Sequence, residues 1–465
     1  MVIERSISRA AALLALLLPG GLAQAQESGQ PLDLAGAMAR GRERAREVAA
    51  AQARESAATE RLSQAKSYHW PVVRVQEIWT RTDSPAEAFA LKLNQERFSF
   101  GDFLTSDPND PDPLNTAISR LELEVPIWTG GEISTRVEQA RLAAEAATDG
   151  AARVGDAAAF SAAEAWVRLA QARELVQLLE KARETVGAHV ELARAYSAQG
   201  MLVRSELLRA EVELARMDDL LAEARGNARV AEANLAFRLA DPMTSSYTLA
   251  ALPPPPPIAA EREVWLAAAA NRSDLEAARK LLKAGELEAD AKRALLFPRI
   301  GLVARYDLVD DQLFGTHGDG TTIMAVASFE LPLAGGKQAA IAAARADAEA
   351  GRQDVARFEE GVRLEVKQAY EKAAVARERR ATAERALSAA AESVRITEER
   401  FRAGVVKTID LLDAVTARRD AETRELVARA EANLAALALA VAAGRAPETV
   451  LTPTPETPNP QGGTL

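Results

Sequence analysis

The sequence predicts a mixed α and β protein, internally duplicated, in which very long helices are continued by four short strands. Two stretches, 132–199 and 337–403, contain no proline and are rich in Ala, Leu, Glu and Arg. Four segments near them alternate apolar and polar residues with the period of a strand. Similar junction sequences occur in both halves, which indicates that one arrangement has been repeated.

Composition excludes several classes of function. The chain is 48% hydrophobic but only 5% aromatic, and its formal net charge is -10. Nucleic acid and anionic lipid require basic patches, so this acidic balance argues against both as partners. The sequence contains no cysteine. Disulfides, thiol catalysis, thiolate metal sites and acylated cysteine anchors are therefore excluded.

The N-terminal residues predict a secretory signal. Arg5 and Arg9 give a weakly basic start, residues 10–18 form an apolar centre, and Ala23 and Ala25 suit cleavage. We predict a signal peptide over 1–25 and a mature chain that starts at Gln26, leaves the cytoplasm and carries no lipid anchor. A retained amphipathic anchor is the alternative. Because no later segment has about 20 uninterrupted apolar residues, any membrane span must be β.

The two long stretches predict two rods of similar design. If 132–199 is one helix, it is roughly 100 Å long at about 1.5 Å per residue. A glycine follows each rod, Gly200 after the first and Gly404 after the second. Glycine suits a C-cap position with positive φ, so each rod is expected to turn there into a second helix. The other proline-free stretches, 32–67 and 258–296, also predict helices.

Strand patterns flank these helices. The predicted strands are 71–80, 121–127, 300–308 and 323–331, and each is about as long as a tilted transmembrane strand. The first two are separated by an insert, 81–115, and the last two by a short loop, 310–320. The insert fits a long outer loop of a membrane barrel or a binding site for a partner or ligand. Aromatic residues at the strand ends fit ordinary packing or an interfacial girdle.

The repeat divides the chain. His69-Trp70-Pro71 corresponds to Leu296-Phe297-Pro298, and both strand-to-helix junctions carry paired glycines. We predict a first repeat over 26–240, a proline-rich linker over 241–257, a second repeat over 258–446 and a flexible tail over 447–465. Four strands cannot close a barrel, and open edges are not tolerated in lipid. The strands therefore lie outside a membrane or are pooled by several chains, and the long helices also need neighbours.

The duplicated pattern resembles the outer-membrane efflux protein family of TolC-like channels. The resemblance rests on Pro71 and Pro298, on the Gly-Gly pairs and on the turn sequences, above all residues 402–414, and covers roughly 30–445. It implies a trimer with a long α-helical barrel of coiled-coil-like staves, continued by an oligomeric transmembrane β-barrel. It also implies a passive conduit from the periplasm across the outer membrane, docked to a periplasmic adaptor and an inner-membrane pump for efflux or type I secretion.

The candidate aperture lies after the glycine turns. Asp410 and Asp413 are three residues apart and share a helix face, which by spacing alone fits a solvated surface. The resemblance places both among the carboxylates of the family's periplasmic aperture, with Glu206 as the matching first-half position. Rings of carboxylates favour cations. The sequence departs from the family at Phe401 and Val406, where a tyrosine and an arginine help to close the aperture; Arg402 and Lys407 are nearby cations.

The same turns supply candidate docking tips. Apolar side chains at a helix tip have little core to join, and the resemblance implies adaptor contact there. The predicted tip residues are Gly200, Met201, Leu202, Gly404, Val405 and Val406. Val203 extends the first of these tips.

Other classes fit less well. The three histidines, His69, His189 and His317, are far apart and lack metal-ligand spacing, so we expect no enzyme, metal or cofactor. A periplasmic adaptor would carry lipoyl-like segments, and a coiled-coil scaffold would not explain the strands. These remain the alternative functions. The exported substrate cannot be read from the sequence.

Overall fold

The structure is a computed structural model that describes residues 30–102, 107–258, 261–330, 334–403 and 405–451. The predicted signal peptide and most of the predicted tail lie outside these residues. Six strands, nine helices and a short 3₁₀-helix occur within the described ranges. In chain order they are β1 (Gln30–Leu32), α1 (Leu34–Arg44), α2 (Arg46–Ser67), β2 (Val72–Thr82), α3 (Pro85–Asn94), β3 (Leu114–Trp128), α4 (Glu132–Ala198), α5 (Arg204–Arg238), β4 (Tyr247–Leu249), α6 (Arg262–Ala269), α7 (Ser273–Ala294), β5 (Arg299–Asp310), β6 (Gly318–Ser328), α8 (Gly336–Arg402), α9 (Thr408–Ala442) and the 3₁₀-helix Pro447–Val450.

The two predicted rods are confirmed as α4 and α8. Each is 67 residues long, which corresponds to roughly 100 Å of helix. The paired glycines have a local reason, because the residue before each rod, Gly131 or Gly335, has a positive φ. That conformation is costly for residues with a Cβ. The chain therefore leaves each strand and enters each rod through a turn that favours glycine.

Two of the shorter predicted helices are broken, and these predictions were wrong in extent. The stretch 32–67 contains β1, α1 and α2, and Ala45 between the helices has an extended ψ of 137°. The stretch 258–296 contains α6 and α7, interrupted at Arg272 with a ψ of 136°. Neither break coincides with a proline or glycine. Both Ala45 and Arg272 are buried, so tertiary packing rather than local sequence fixes the breaks.

The long helices pack side by side as one wall. Helix α4 lies between the pair α2 and α5 on one side and the pair α7 and α9 on the other. Helix α8 packs on the far side of α7 and α9. Ion pairs cross these contacts, with Lys280 of α7 2.6 Å from Asp149 of α4 and Arg279 of α7 2.7 Å from Glu359 of α8. The wall thus alternates the two long continuous helices, α4 and α8, with the helix pairs α2 and α5, and α7 and α9.

The four predicted strands form one antiparallel sheet in the order β2-β3-β5-β6. Strand β3 begins at Leu114, seven residues before the predicted start, and β6 begins at Gly318 and ends at Ser328. The predicted loop 310–320 is therefore shorter, since Asp319 already pairs with Leu308. Alternation of apolar residues fades at these strand ends, which is why their pattern did not reveal them. Each edge strand, β2 or β6, has one side without a pairing partner among the described residues.

The sheet has one apolar and one polar face, as predicted. Cross-strand pairs keep apolar residues on a common side, as with Val75 and Leu121, or Ala304 and Ile323. Val75 is 78% exposed, so this face is not covered within one chain. The opposite face carries ion pairs between strands, as the following contacts show: Arg120 lies 2.7 Å from Asp307, Arg305 lies 3.6 Å from Asp307, and Arg74 pairs with Glu122.

A small core joins the two repeats midway along α4. The predicted linker contains β4, which pairs in parallel with β1 from the other end of the repeat. Trp166 of α4 is 1% exposed and its indole nitrogen donates to the carbonyl oxygen of Leu32 at 2.9 Å. The Tyr247 hydroxyl lies 2.9 Å from Asp241, and burial raises the pKa of Tyr247 well above its usual value. These contacts make the linker part of the core.

A second buried cluster joins the end of α9 to the start of α7. Arg272 is only 3% exposed, and its guanidinium donates to the carbonyl oxygen of Ala442 at 2.9 Å. It also lies 2.7 Å from both Asp274 and Glu365. Burial tends to raise the pKa of Asp274, but hydrogen bonding and charge from Arg272 hold it below the usual value. The arginine therefore pairs with two carboxylates while it satisfies a helix C-terminus.

Candidate aperture at the helical tips

The candidate site lies where the two long hairpins turn. Helices α4 and α5 form one hairpin, α8 and α9 form the other, and α4 also contacts α9. Near the turns, Val190 of α4, Ala210 of α5 and Leu412 of α9 share a buried cluster, with Leu214 packed against it. This cluster sets the two turns at the same end of the wall. The site residues predicted from the sequence are therefore brought to one end of the molecule.

Asp410 has a local structural contact that spacing did not reveal. It lies in the first turn of α9, and its carboxylate accepts a hydrogen bond from the backbone N–H of Lys407 at 2.9 Å. This side-chain bond closes the start of the helix, and an anion in the first turn also complements the helix dipole. Asp413 lies one turn further on, and both side chains are exposed. They share a face, as predicted.

Glu206 occupies the equivalent position of the first hairpin. It lies in the first turn of α5, as Asp410 does in α9, and it is half-buried. Its backbone N–H donates to the carbonyl oxygen of Val203 at 3.0 Å, and that of Asp410 to Lys407 at 3.1 Å. The two turns therefore share their hydrogen-bond pattern. Within one copy of the described chain, no hydrogen bond or ion pair joins Glu206 to Asp410 or Asp413.

The departures from the family pattern are visible at the second turn. Phe401 and Val406 are both half-buried, and neither carries a group that could form an ion pair. Arg402 and Lys407 have no ion pair with another residue of the described ranges. Lys407 contacts Asp410 through its backbone N–H, which donates the hydrogen bond described above.

Sequence reasoning missed two polar groups that lie about three helical turns from the tips. Arg419 of α9 is 7% exposed and lies 3.3 Å from Glu213 of α5 and 3.0 Å from Asp420. His189 of α4 has a buried Nε2 without a hydrogen-bond partner in the described part of the chain. Desolvation lowers the pKa of His189, against the opposing charge of Glu398. A lone histidine on a long helix gives no sequence signal of this environment.

The predicted docking tips are largely apolar and exposed. Met201, Val203 and Val405 are exposed by 63%, 68% and 67%, whereas Leu202 and Val406 are half-buried. Gly200 has a φ of 72°, as its predicted role in reversing the chain requires. Gly404 lies outside the described residues. The two turns together therefore present a cluster of apolar side chains at the end of the wall.

Among the described residues, no group of three or more His, Cys, Asp or Glu side chains could hold a metal ion. The helices described here include none that is both long enough and apolar enough to cross a bilayer.

Comparison with known families matches residues 266–445 to the model described as outer membrane efflux protein. The chain carries an outer membrane efflux protein domain. The match covers most of the second repeat, from α6 to the end of α9, and includes Asp410 and Asp413. Curated proteins give no match to the sequence.

Solved structures of outer-membrane channels share the whole fold. The outer membrane protein VceC from Vibrio cholerae is 17% identical, with a TM-score of 0.74 over 89% of this chain and 96% of that chain. The CmeC outer membrane channel from Campylobacter jejuni is 14% identical, with a TM-score of 0.74 over 88% and 85%. The open state of the MtrE outer membrane channel from Neisseria gonorrhoeae is 18% identical, with a TM-score of 0.69 over 89% of each. The predicted fold class, helical staves continued by a β domain, is confirmed.

Proposed function

We propose that this chain forms the outer-membrane channel of a tripartite efflux system in a Gram-negative bacterium. The observation that carries the proposal is a sheet with one uncovered apolar face and one charged face, continued by a helical wall roughly 100 Å long. An apolar outer face suits lipid, and a charged inner face suits a water-filled lumen. The wall is long enough to continue such a lumen far beyond a bilayer of about 30 Å.

Closure of this lumen requires several copies. Strands β2 and β6 each have a free edge, and edges are not tolerated in the hydrocarbon region. The helical wall also ends in exposed apolar side chains, among them Val212 and Val230 on α5 and Leu364 and Val375 on α8. A homotrimer pairs each free edge with the opposite edge of the next copy and gives twelve strands in total. The outer membrane is then the lipid partner of the apolar face.

We assign the contact with the remaining partners, the adaptor and through it the pump, to the helical tips. Exposed Met201, Val203 and Val405 form an apolar surface that would face the periplasm, where a periplasmic adaptor can bind and link the channel to an inner-membrane pump. Such a conduit transports passively. It needs no catalytic residue and no cofactor, because the pump supplies the free energy.

The aperture of the proposed channel lies just inside these tips. Three copies of Asp410, Asp413 and Glu206 would form rings of carboxylates where the staves converge. Rings of like charge attract cations and repel anions. Arg402 and Lys407 are the cations through which a neighbouring copy could hold the aperture closed, in place of the family's tyrosine and arginine.

The proposal is tested by purification from cell envelopes and reconstitution. We expect the protein in the outer-membrane fraction, as a trimer whose mobility on gels changes on heating, and we expect cation-selective single channels in planar bilayers. An adaptor or an envelope scaffold would give neither heat-modifiable trimers nor channels. Recovery in the soluble periplasmic fraction without conductance would contradict the proposal.

A further inference from the structure

The insert between β2 and β3 folds onto one particular face of the sheet. Directly after α3, Gln95 is 1% exposed. Its side-chain nitrogen donates to the carbonyl oxygen of Asn115 at 2.9 Å and to Oγ1 of Thr116 at 2.8 Å. Thr116 lies four residues before Arg120 on β3, so both side chains point to the polar face. The insert is therefore anchored on the polar side of the sheet.

The hairpin of β5 and β6 also contacts the insert on the polar face of the sheet. Gly318 of β6 pairs with Val309, two residues from Asp307 on β5, so its missing side chain would also point to the polar face. A Cβ at Gly318 would lie 2.0 Å from the carbonyl oxygen of Asn94. No side chain can occupy that space. Glycine at this position is what allows the insert to approach the strands.

An ion pair completes the attachment. The Arg97 guanidinium lies 3.0 Å from Asp310 at the end of β5, and it also pairs with Asp311. Side chains of the insert thus contact both hairpins, at the end of the sheet opposite the long helices. In the proposed channel this end is the outer mouth, and the polar face lines the lumen.

The expected radius of the barrel determines how much of the lumen such an insert fills. Twelve strands spaced about 4.8 Å apart and tilted by about 40° give a circumference of roughly 75 Å and a radius of roughly 12 Å. A helix with its side chains is about 10 Å across. A helix that lies on the inner surface therefore reaches almost to the axis. Three copies leave little open space between them.

The insert exposes large apolar side chains although it projects into a polar lumen. Phe89, Leu93 and Phe100 are exposed by 42%, 45% and 85% in one copy. Phe98 stacks edge-on against Phe89 at 5.1 Å and against Phe100 at 6.1 Å between ring centroids. Apolar constrictions restrict the passage of ions and water by dewetting.

We propose that α3 and the residues after it, as far as Phe100, meet their two symmetry copies near the channel axis of the trimer and narrow its outer mouth to an apolar constriction, distinct from the carboxylate rings at the tips. This inference rests on the proposed function, because one copy alone encloses no lumen. It assigns to the insert the control of exchange between the lumen and the outside. Other copies of the same insert are the partners that cover its exposed apolar side.

The test uses the absence of cysteine from the natural chain. Thr322→Cys places a reporter thiol on the polar face of β6, opposite Arg305 and below the mouth. Intact cells are treated from outside with a small membrane-impermeant maleimide or with one attached to a long polyethylene glycol chain. We expect the small reagent to label the reporter in every variant and the large reagent to label it slowly when the insert is native.

Gly318→Ala then displaces the insert without changing any insert residue. Gly320→Ala is its matched control, because a Cβ at Gly320 meets no atom within 4 Å. Neither glycine has a positive φ, so alanine is tolerated by both backbones. We expect Gly318→Ala to speed labelling by the large reagent on the order of tenfold, with no change for Gly320→Ala. Gln95→Ala, which removes both anchoring hydrogen bonds, is expected to act like Gly318→Ala.

Each contrary result has a distinct meaning. Equal labelling by the large reagent in all of these variants overturns the outer constriction and leaves the channel assignment intact. Failure of even the small reagent to reach Thr322→Cys when Gly318→Ala has displaced the insert shows that the polar face does not line a water-filled lumen. That result overturns the proposed function and the constriction together.

Discussion

At the scale of single residues, Asp410 combines two functions that share one carboxylate. Its charge belongs to the proposed aperture, and its oxygen accepts the Lys407 N–H at the start of α9. Loss of a helix cap of this kind costs about 1 kcal/mol. A change to alanine therefore removes the charge and the cap together. Asparagine removes the charge but keeps an acceptor oxygen of similar position.

This distinction gives a prediction for the aperture. Asp410→Asn combined with Asp413→Asn should raise single-channel conductance and reduce cation preference, because the carboxylate rings are lost while the cap persists. Planar-bilayer recordings measure both properties. Asp420→Asn, on the same helix and paired with Arg419 away from the tip, is the control and should leave them unchanged. Native conductance and selectivity in the double variant would remove these residues from the aperture.

At the scale of elements, the helical tips are the surface that we propose binds the periplasmic adaptor. Gly200 reverses the chain with a positive φ, and the next residues are held outside any core of one copy. Their exposure is unusual for apolar side chains that follow one another in sequence. An apolar surface of this kind on a native protein commonly marks an interaction site.

The proposed docking surface is tested by introducing charged side chains into it. Leu202→Glu combined with Val405→Glu should abolish or strongly weaken crosslinking to the adaptor, because a buried unpaired carboxylate opposes association. Leu202→Met with Val405→Ile is the matched control and should dock normally. Channel conductance in bilayers, measured on the same proteins, should be retained by both pairs. Normal adaptor crosslinking by the glutamate pair would place the docking surface elsewhere.

The elements also show what periodicity can predict. Helices α4 and α8 were predicted to within a residue, since each has 67 residues of uninterrupted helical sequence between glycine turns. The break at Arg272 was not predictable, because it depends on Glu365 and on a carbonyl oxygen of α9, far along the chain. The short parallel pair β1 and β4 has too few residues for any period. Spacing placed Asp410 and Asp413 on one face, but nothing in the sequence indicated the helix cap made by Asp410 or the buried Nε2 of His189.

At the scale of the whole molecule, the wall of one copy has two unlike edges. One edge is formed by α2 and α5 and the other by α8. In the proposed trimer, closure by rotation brings α8 of one copy against α5 of the next, which is a heterologous contact that ends in a ring. Both the sheet and the helical wall require the same closure.

Engineered cysteines test this arrangement. Val212 lies about 12 Å above the start of α5 and Ile396 about 9 Å above the end of α8, at about 1.5 Å per residue. Both are exposed in one copy. Val212→Cys with Ile396→Cys should crosslink between copies and give a covalent trimer on denaturing gels. Val230→Cys with Ile396→Cys, separated in height by roughly 30 Å, should not. Equal crosslinking of the two pairs would contradict the predicted order of helices.

The two free edges of the sheet also constrain how the protein is made. A single copy exposes backbone donors and acceptors along β2 and β6, together with an uncovered apolar face. Such edges template pairing with any available strand and make unassembled chains prone to aggregation. Insertion into lipid before the edges meet is equally unfavourable. Biogenesis is therefore expected to be concentration-dependent, with assembly of the copies coupled to folding of their strands rather than following it.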